Sequence, residues 1–593
     1  MHAFLLILAA LFAAGADEPD AEFADRLTPL EGTRPAQWRV VWTTDPATEA
    51  TVSWTTAEAG TRHRVLYGPA SEEDGGDGFA SAQATHRDGA YSRHRGERSL
   101  PGHYHHARLT GLEPSTSYRF VLESDGVRSP ELRFTTAPAD DRPFAILAGG
   151  DSRTGWRARC FVNVSIARVA AADGDVLALS HGGDYVTQGD RWAQWSRWLS
   201  HHELTTTPAG RVLPIVPTRG NHDYGALFDE VFDEPGGAGR DYFRTRLSPS
   251  VSLLTLDSNV SVAGDQLTWL EEELAAATTD SRWLLASYHR PLYPAVKPPG
   301  TAVGFWPPLF DRFGLDLALE SDGHCIKRTT PIRGDEPHPE GVIYLGEGGF
   351  GVPQRSPRTD PWYLQPPALA SRGHHVIRLD FAPDALRARI LLLPELPERF
   401  GPESFRAVIP AADRWSYLAG GDAPAGWAEP GFDDSGWPVG TAGFGYGDGD
   451  DATVLEDMRG SYTRVHVRRA FEAEAVAGAG SLTLMCRYDD AFVAYLNGVE
   501  VARSGVEPPG EPGGKPRVRA HEALRTEAFP IEDWRGILRP GANVLALVGH
   551  NRMRTDRDFS LDPWLAADRV EDPTRTGLAL EAIDDVTLRP RAR

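Results

Sequence analysis

The sequence predicts a multidomain chain in three parts: an N-terminal β-sandwich, a central α/β sandwich of sheets flanked by helices, and a C-terminal jelly-roll β-sandwich. Three observations lead there. Short β-branched and aromatic runs separated by turns fill residues 22–137 and 410–570. Between them, over residues 141–385, apolar strands alternate with helix-like segments. The breaks "APADDRPF" and "LPELPERFGPESFRAVIPAADR" separate the three patterns. A length of 593 residues accommodates several domains, and 60 Gly with 46 Pro favours many turns.

The first 16 residues read as an export signal. Ala3 to Ala14 are apolar and "AGA" at Ala14–Ala16 fits small-residue cleavage. A membrane anchor and a buried segment are the alternatives. The apolar stretch is too short to cross a bilayer, so no stable membrane span and a secreted or periplasmic location are expected. Three cysteines, Cys160, Cys325 and Cys486, allow one intrachain bridge at most. A net charge of −22 argues against a nucleic-acid partner.

In residues 22–137 the runs "QWRVVWTTD", "EATVSWTT" and "TRHRVLYGPA" lead to "LTGLEPSTSYRFVL". That last stretch resembles fibronectin type III modules, in which a Leu packs before a turn and a Tyr pins the following strand. In the centre, "FAILAGG", "DVLALSHGG", "RVLPIVPTRG", "VSLLTLDS", "RWLLASYHR" and "LDLALES" are strands. "CFVNVSIARVAAAD", "RWAQWSRWLSHHELT" and "GDQLTWLEEELAAA" are helices, and Leu267, Leu270 and Leu274 form an apolar stripe in the third. In residues 410–570, "WAEPGFDDSGWPVGTAGFGYGDGD" and "DDAFVAYLNG" resemble galactose-binding-like modules. Such a module could bind carbohydrate through Trp415, Trp427 and Trp437, or brace its neighbour with those residues in the core. Residues 571–593 read as a C-terminal tail.

Ligands gather beyond the carboxyl ends of strands in α/β sheets. Polar residues recur at those ends: Asp151, Asp184, Asn221 with His222, His289, and Asp322 with His324. Each alone is an ordinary turn residue. Together they offer carboxylate, amide and imidazole donors of the kind divalent metals use.

The motifs "GGDSR", "GGDYVTQGD", "GNHDY", "SYHRPLY" and "SDGH" resemble those of the calcineurin-like metallophosphoesterases, and the purple acid phosphatase-like subgroup in particular. The resemblance implies two divalent metal ions (Mn, Fe, Zn or Mg). Asp151 and His324 would hold the first, Asn221 and His289 the second, and Asp184 would bridge them. His222 would contact the phosphoryl group and protonate the leaving group, with Asp223 holding its ring. The implied activity is hydrolysis of a phosphomonoester on a phosphorylated small molecule by a metal-activated hydroxide. A phosphodiesterase or nucleotide hydrolase on the same site, and a catalytically degenerate carbohydrate- or surface-binding scaffold, are the alternatives.

The chain departs from that pattern at three places. Arg153 stands where a His is common, and either faces the phosphate or pairs with a local Asp. Thr187 stands where the purple phosphatases place a Tyr, so a ferric–divalent pair is not implied. Asp322 stands where the family has the first His of Gly-His-x-His. An Asp there adds a carboxylate and favours hard ions such as Mn²⁺ or Mg²⁺.

Overall fold

The computed structural model describes residues 23–591 except 24–25, 71–78, 98–101, 234–239, 397–404, 448, 450, 508–516, 522–525 and 570–576. The expected export signal, residues 1–16, lies outside the described residues. The chain divides into two compact units, Met1–Leu396 with Pro573–Arg593, and Pro397–Asp572.

Two sheets carry the central part of the first unit. In one, β1 (Phe144–Gly149), β2 (Val176–His181) and β3 (Ile215–Pro217) run parallel. In the other, β4 (Val251–Thr255), β5 (Trp283–Ser287), β6 (Leu317–Glu320) and β7 (Ile343–Gly346) run parallel. Every residue of β2, β4, β5 and β6 is buried. Strands covered on both faces need apolar side chains at every position, which explains their unbroken apolar runs. The three expected helices form as α1 (Trp156–Ala172), α2 (Trp192–His202) and α3 (Asp265–Asp280). In α3, Leu270 and Leu274 are fully buried and Leu267 packs against the same core.

The first central sheet extends both ways. Beyond β1, antiparallel strands His375–Phe381 and Leu386–Leu392 follow, and Glu581–Leu588 pairs along the latter. The segment read as a tail therefore contributes an edge strand. Its apolar residues Ile583, Val586 and Leu588 are only partly buried, as one covered face requires. Beyond β3, Val41 of strand Ala36–Val41 pairs in parallel with Ile215. Strands Glu49–Thr56, His103–Thr110 and Arg87–Ala90 continue from it, so ten strands make one sheet across the N-terminal and central regions. A second N-terminal sheet contains His63–Pro69 and Ser117–Ser124. There Leu112 is buried, and Tyr118 Oη accepts the Glu113 N–H at 2.9 Å, fixing the turn before its strand.

The second unit contains two six-stranded sheets. Trp415 is fully buried in its core and cannot join a surface platform. Trp427 and Trp437 are half-buried and stack with centroids 6.4 Å apart at 22°. All three cysteines are free and buried, so the single bridge that the sequence allowed is absent. No helix among the described residues is long and apolar enough to cross a membrane.

Candidate metal centre

The six candidate metal-ligating residues follow the carboxyl ends of β1, β2, β3, β5 and β6. Three of these strands belong to one sheet and two to the other, so the turns after them meet between the sheets. Four of the turn residues are non-glycine residues with left-handed backbone: Asp151 (φ 60°), Asp184 (φ 58°), Asp322 (φ 69°) and His324 (φ 62°). Each such conformation costs on the order of 1–3 kcal/mol and persists only where the surroundings enforce it. Close backbone approach is also required. A Cβ on Gly220 would lie 2.4 Å from Asp184 Oδ1, so only glycine fits there.

Asp151 and His324 face each other, with Oδ1 and Nε2 3.3 Å apart. Both atoms are buried and have no hydrogen-bond partner. The other Asp151 oxygen accepts the Asp322 N–H at 2.8 Å. A buried carboxylate oxygen and imidazole nitrogen left unpaired are costly, and a cation between them would satisfy both.

A second set converges on His289. Its Nδ1 lies 2.8 Å from Gly182 O, a bond that requires Nδ1–H and leaves Nε2 to face the centre. Around Nε2 stand Asn221 Oδ1 at 3.2 Å, Asp184 Oδ1 at 3.3 Å and Asp322 Oδ1 at 3.5 Å. Burial disfavours the imidazolium, but the Asp184, Asp322 and Asp151 carboxylates outweigh it and hold His289 well above its ordinary range. Burial likewise opposes charge on Asp184 and Asp322. The adjacent His289 outweighs it at both, aided at Asp322 by Lys297, and both carboxyls lie below their usual values. Donor atoms of Asp151, Asp184 and His289 all lie within 4.8 Å of one another, so the two sets adjoin. The donors fit two divalent cations, one beside Asp151 and His324, the other among Asp184, Asn221, His289 and Asp322.

One expected placement differs. Asp223 does not hold the His222 ring. His222 Nδ1 bonds instead to Thr187 O at 2.8 Å. Asp223 Oδ2 accepts N–H groups of Gly220 and Asp184, each at 2.8 Å, and Oδ1 accepts those of Tyr185 at 3.0 Å and Val186 at 3.4 Å. The buried Asp223 thus ties the turns after β2 and β3 together. Its position explains the difference: two turns full of outward N–H groups surround it, and a carboxylate satisfies four of them at once. Burial, with the Asp184 charge beside it, raises its carboxyl above the ordinary range, while those donors favour the ionised form.

Arg153 adopts the local pairing. Its Nε lies 3.1 Å from Asp184 Oδ2, with the side chain 15% exposed. The Asp it pairs with is the one whose Oδ1 lies 3.3 Å from His289 Nε2. Tyr185 is fully buried, stacked on His181 at 4.0 Å, and its hydroxyl donates to His181 O. It does not reach the centre.

Several supporting residues carried no motif. Ser152 Oγ bonds to His181 Nε2 at 3.0 Å and accepts Trp198 Nε1–H at 2.8 Å, while Arg159 donates to Ser152 O at 2.8 Å. These bonds fix the turn that bears Asp151. Beneath Asp322 and His324, the fully buried Lys327 pairs with Glu320 and lies 3.1 Å from Glu347. Glu347 O accepts the His324 N–H at 2.6 Å. Lys297 pairs with Asp322 Oδ1.

A further His/Asp group, His63, Asp88 and His105, lies in the N-terminal region. His63 bonds to Ser124 Oγ and Ala59 O, and His105 to Asp88 Oδ1 and Thr56 Oγ1, all within 2.9 Å. All four ring nitrogens are engaged, so this group is a satisfied polar network.

Comparison with known proteins agrees with the geometry. The family described as "Purple acid Phosphatase, N-terminal domain" matches residues 35–136, and "Calcineurin-like phosphoesterase" matches residues 162–325. An uncharacterized protein of Mycobacterium tuberculosis is 28% identical over 340 residues, covering 49% of this chain and 61% of the relative. Purple acid phosphatase 15 of Arabidopsis thaliana is 22% identical over 298 residues, covering 42% and 54% respectively. The chain thus spans little more than half the length of these curated relatives. The purple acid phosphatase PPD1 from yellow lupin seeds superposes with a TM-score of 0.51 at 16% identity, over 61% of this chain and 72% of that one. With its His- and Asp-rich group Asp151, Asp184 and His289 and its central pair of sheets, this chain has the calcineurin-like, purple acid phosphatase-like metallophosphoesterase fold.

Proposed function

We propose that the protein is an exported, metal-dependent phosphoesterase acting on phosphomonoesters of small molecules. The observation that carries this reading is the unpartnered buried pair Asp151 Oδ1 and His324 Nε2 beside the donors around His289 Nε2. Asp151, Asp184 and His324 would hold one divalent ion, and Asp184, Asn221, His289 and Asp322 the other. Two such ions supply positive charge to a phosphoryl group and lower the pKa of water toward neutrality.

The chain's own residues would do the rest. His222 is half-buried, and its Nδ1 is engaged by Thr187 O, which leaves Nε2 to deliver a proton to the departing oxygen. Arg153, held against Asp184, brings a fixed guanidinium to the edge of the donor set, where it can face phosphoryl oxygens. Asp223 keeps the β2 and β3 turns in register, so Asp184, Asn221 and His222 keep their spacing. Neither a serine nor a cysteine nucleophile is called for. Cys325, near the centre, has its thiol pushed well above its ordinary range by burial and the Glu347 charge.

Export rests on residues 1–16. The C-terminal unit is read as a jelly-roll module that offers the half-buried, stacked Trp427 and Trp437 to a sugar ring. A panel of p-nitrophenyl phosphate, its bis-ester and nucleotides, each with Mn²⁺, Mg²⁺, Zn²⁺ and Fe²⁺, tests the reading. Metal-dependent turnover with the monoester preferred supports it. Preference for the bis-ester assigns a phosphodiesterase, and absence of turnover with every metal overturns the enzymatic reading.

A further inference from the structure

Lys297 lies between β5 and β6, and its side chain is about one-third exposed. Its ammonium contacts Asp322 Oδ1, the same oxygen that stands 3.5 Å from His289 Nε2. Of the chain's 61 basic residues only three are lysine, Lys297, Lys327 and Lys515. Lysine is therefore not the chain's background choice of cation, and two of the three adjoin this centre.

The charges explain what a cation does there. Asp151, Asp184 and Asp322 bring three carboxylates into one buried cluster. Like charges so close oppose one another's ionisation and push each other out of position. Arg153 offsets Asp184, and Lys297 offsets Asp322. Among the described residues no lysine or arginine pairs with Asp151, whose Oδ1 faces His324 Nε2 at 3.3 Å.

Resting on the reading of this cluster as a metal centre, we propose that Lys297 is a positioning residue, a tethered counter-ion for Asp322. It lies against the oxygen that faces His289 Nε2 at 3.5 Å, and it would share Oδ1 with a cation bound there. Sharing has a consequence of definite sign. An ammonium and a divalent ion on one oxygen stand a few ångströms apart and repel each other. Lys297 therefore weakens the position among Asp184, Asn221, His289 and Asp322, and sets how much divalent ion is needed to fill it.

The test is a Mn²⁺ titration of the metal-stripped full-length protein, following free Mn²⁺ by electron paramagnetic resonance. Lys297→Met removes the charge and keeps most of the stem, and should fill the weaker position at roughly tenfold lower Mn²⁺, judged from unit charges a few ångströms apart in a partly screened site. Lys297→Arg keeps the charge and should return the affinity to within about threefold of wild type. Asp322→Asn should weaken the position by roughly tenfold or more, because it loses an ionised donor and leaves Lys297 uncompensated. Circular dichroism checks that each variant folds. Unchanged or weaker binding in Lys297→Met overturns the assignment, as does Lys297→Arg tracking Lys297→Met or Asp322→Asn binding like wild type. If the wild type binds no Mn²⁺, the metal-centre reading itself falls and takes this one with it.

Discussion

Replacing Asp223 by Asn separates two jobs that the residue could have. The carboxylate accepts four N–H groups: Gly220 and Asp184 at 2.8 Å on one oxygen, Tyr185 at 3.0 Å and Val186 at 3.4 Å on the other. An asparagine offers one oxygen. Its amide nitrogen must face the remaining two donors, of which Tyr185 is the stronger. An orphaned buried donor costs about 1–3 kcal/mol, and the retained pair loses the extra strength of a charged acceptor, so a total near 2–4 kcal/mol is expected. The backbone of Asp184 and Gly220 then loosens, which predicts about 10–100-fold weaker Mn²⁺ binding, as is usual when a residue behind metal ligands is lost. Thermal unfolding and calorimetric Mn²⁺ titration measure both effects, and saturating Mn²⁺ should restore much of the turnover. Unchanged stability and Mn²⁺ affinity, with kcat alone reduced, would mean that Asp223 acts through His222 and that the hydrogen-bond account is wrong.

Three more outcomes are expected. His222→Ala should lower kcat by about 10²–10⁴-fold, the usual contribution of a positioned acid, while Mn²⁺ content stays at the wild-type level by elemental analysis. The loss should shrink for substrates whose leaving group needs no proton. Lys327→Met leaves the buried Glu320 and Glu347 facing each other and should destabilise the first unit by about 3–5 kcal/mol in denaturant unfolding. Burial already raises the Glu347 carboxyl and Lys327 pulls it down, so removing Lys327 raises it further. A raised carboxyl costs stability only when ionised, so the penalty should be full at alkaline pH and shrink as pH falls through the new value. Stripping metal with a chelator should lower the melting temperature, and excess Mn²⁺ at about 100 times its Kd should restore about 2.7 kcal/mol.

Much of this arrangement was legible in sequence because strand ends announce themselves. Unbroken apolar runs such as "DVLALS" followed by Gly-Gly-Asp carry both the strand and the sharp turn that presents its carboxylate. The helices were legible for a related reason, since Leu270 and Leu274 lie one turn apart on the buried face of α3. Hydrogen-bond partners were not legible. Asp223 follows His222 directly, but adjacent side chains diverge, and the Asp turns inward to backbone N–H groups that no residue type encodes. The role of Lys297 was not legible because its pairing with Asp322 spans a helix and β6 and belongs to no motif. The shared ten-stranded sheet was equally hidden, because the parallel pairing of Val41 with Ile215 links residues far apart in sequence. The final strand, with only Ile583, Val586 and Leu588 facing cover, carried too weak an alternation to stand out.

Anomalous scattering from crystals grown with Mn²⁺ and inorganic phosphate tests the central claim most directly. Two peaks are predicted, one against Asp151 and His324, the other among Asn221, His289 and Asp322, with Asp184 touching both. Absence of peaks at saturating Mn²⁺, or peaks elsewhere while Asp151 Oδ1 and His324 Nε2 stay unpartnered, would contradict the metal-centre account.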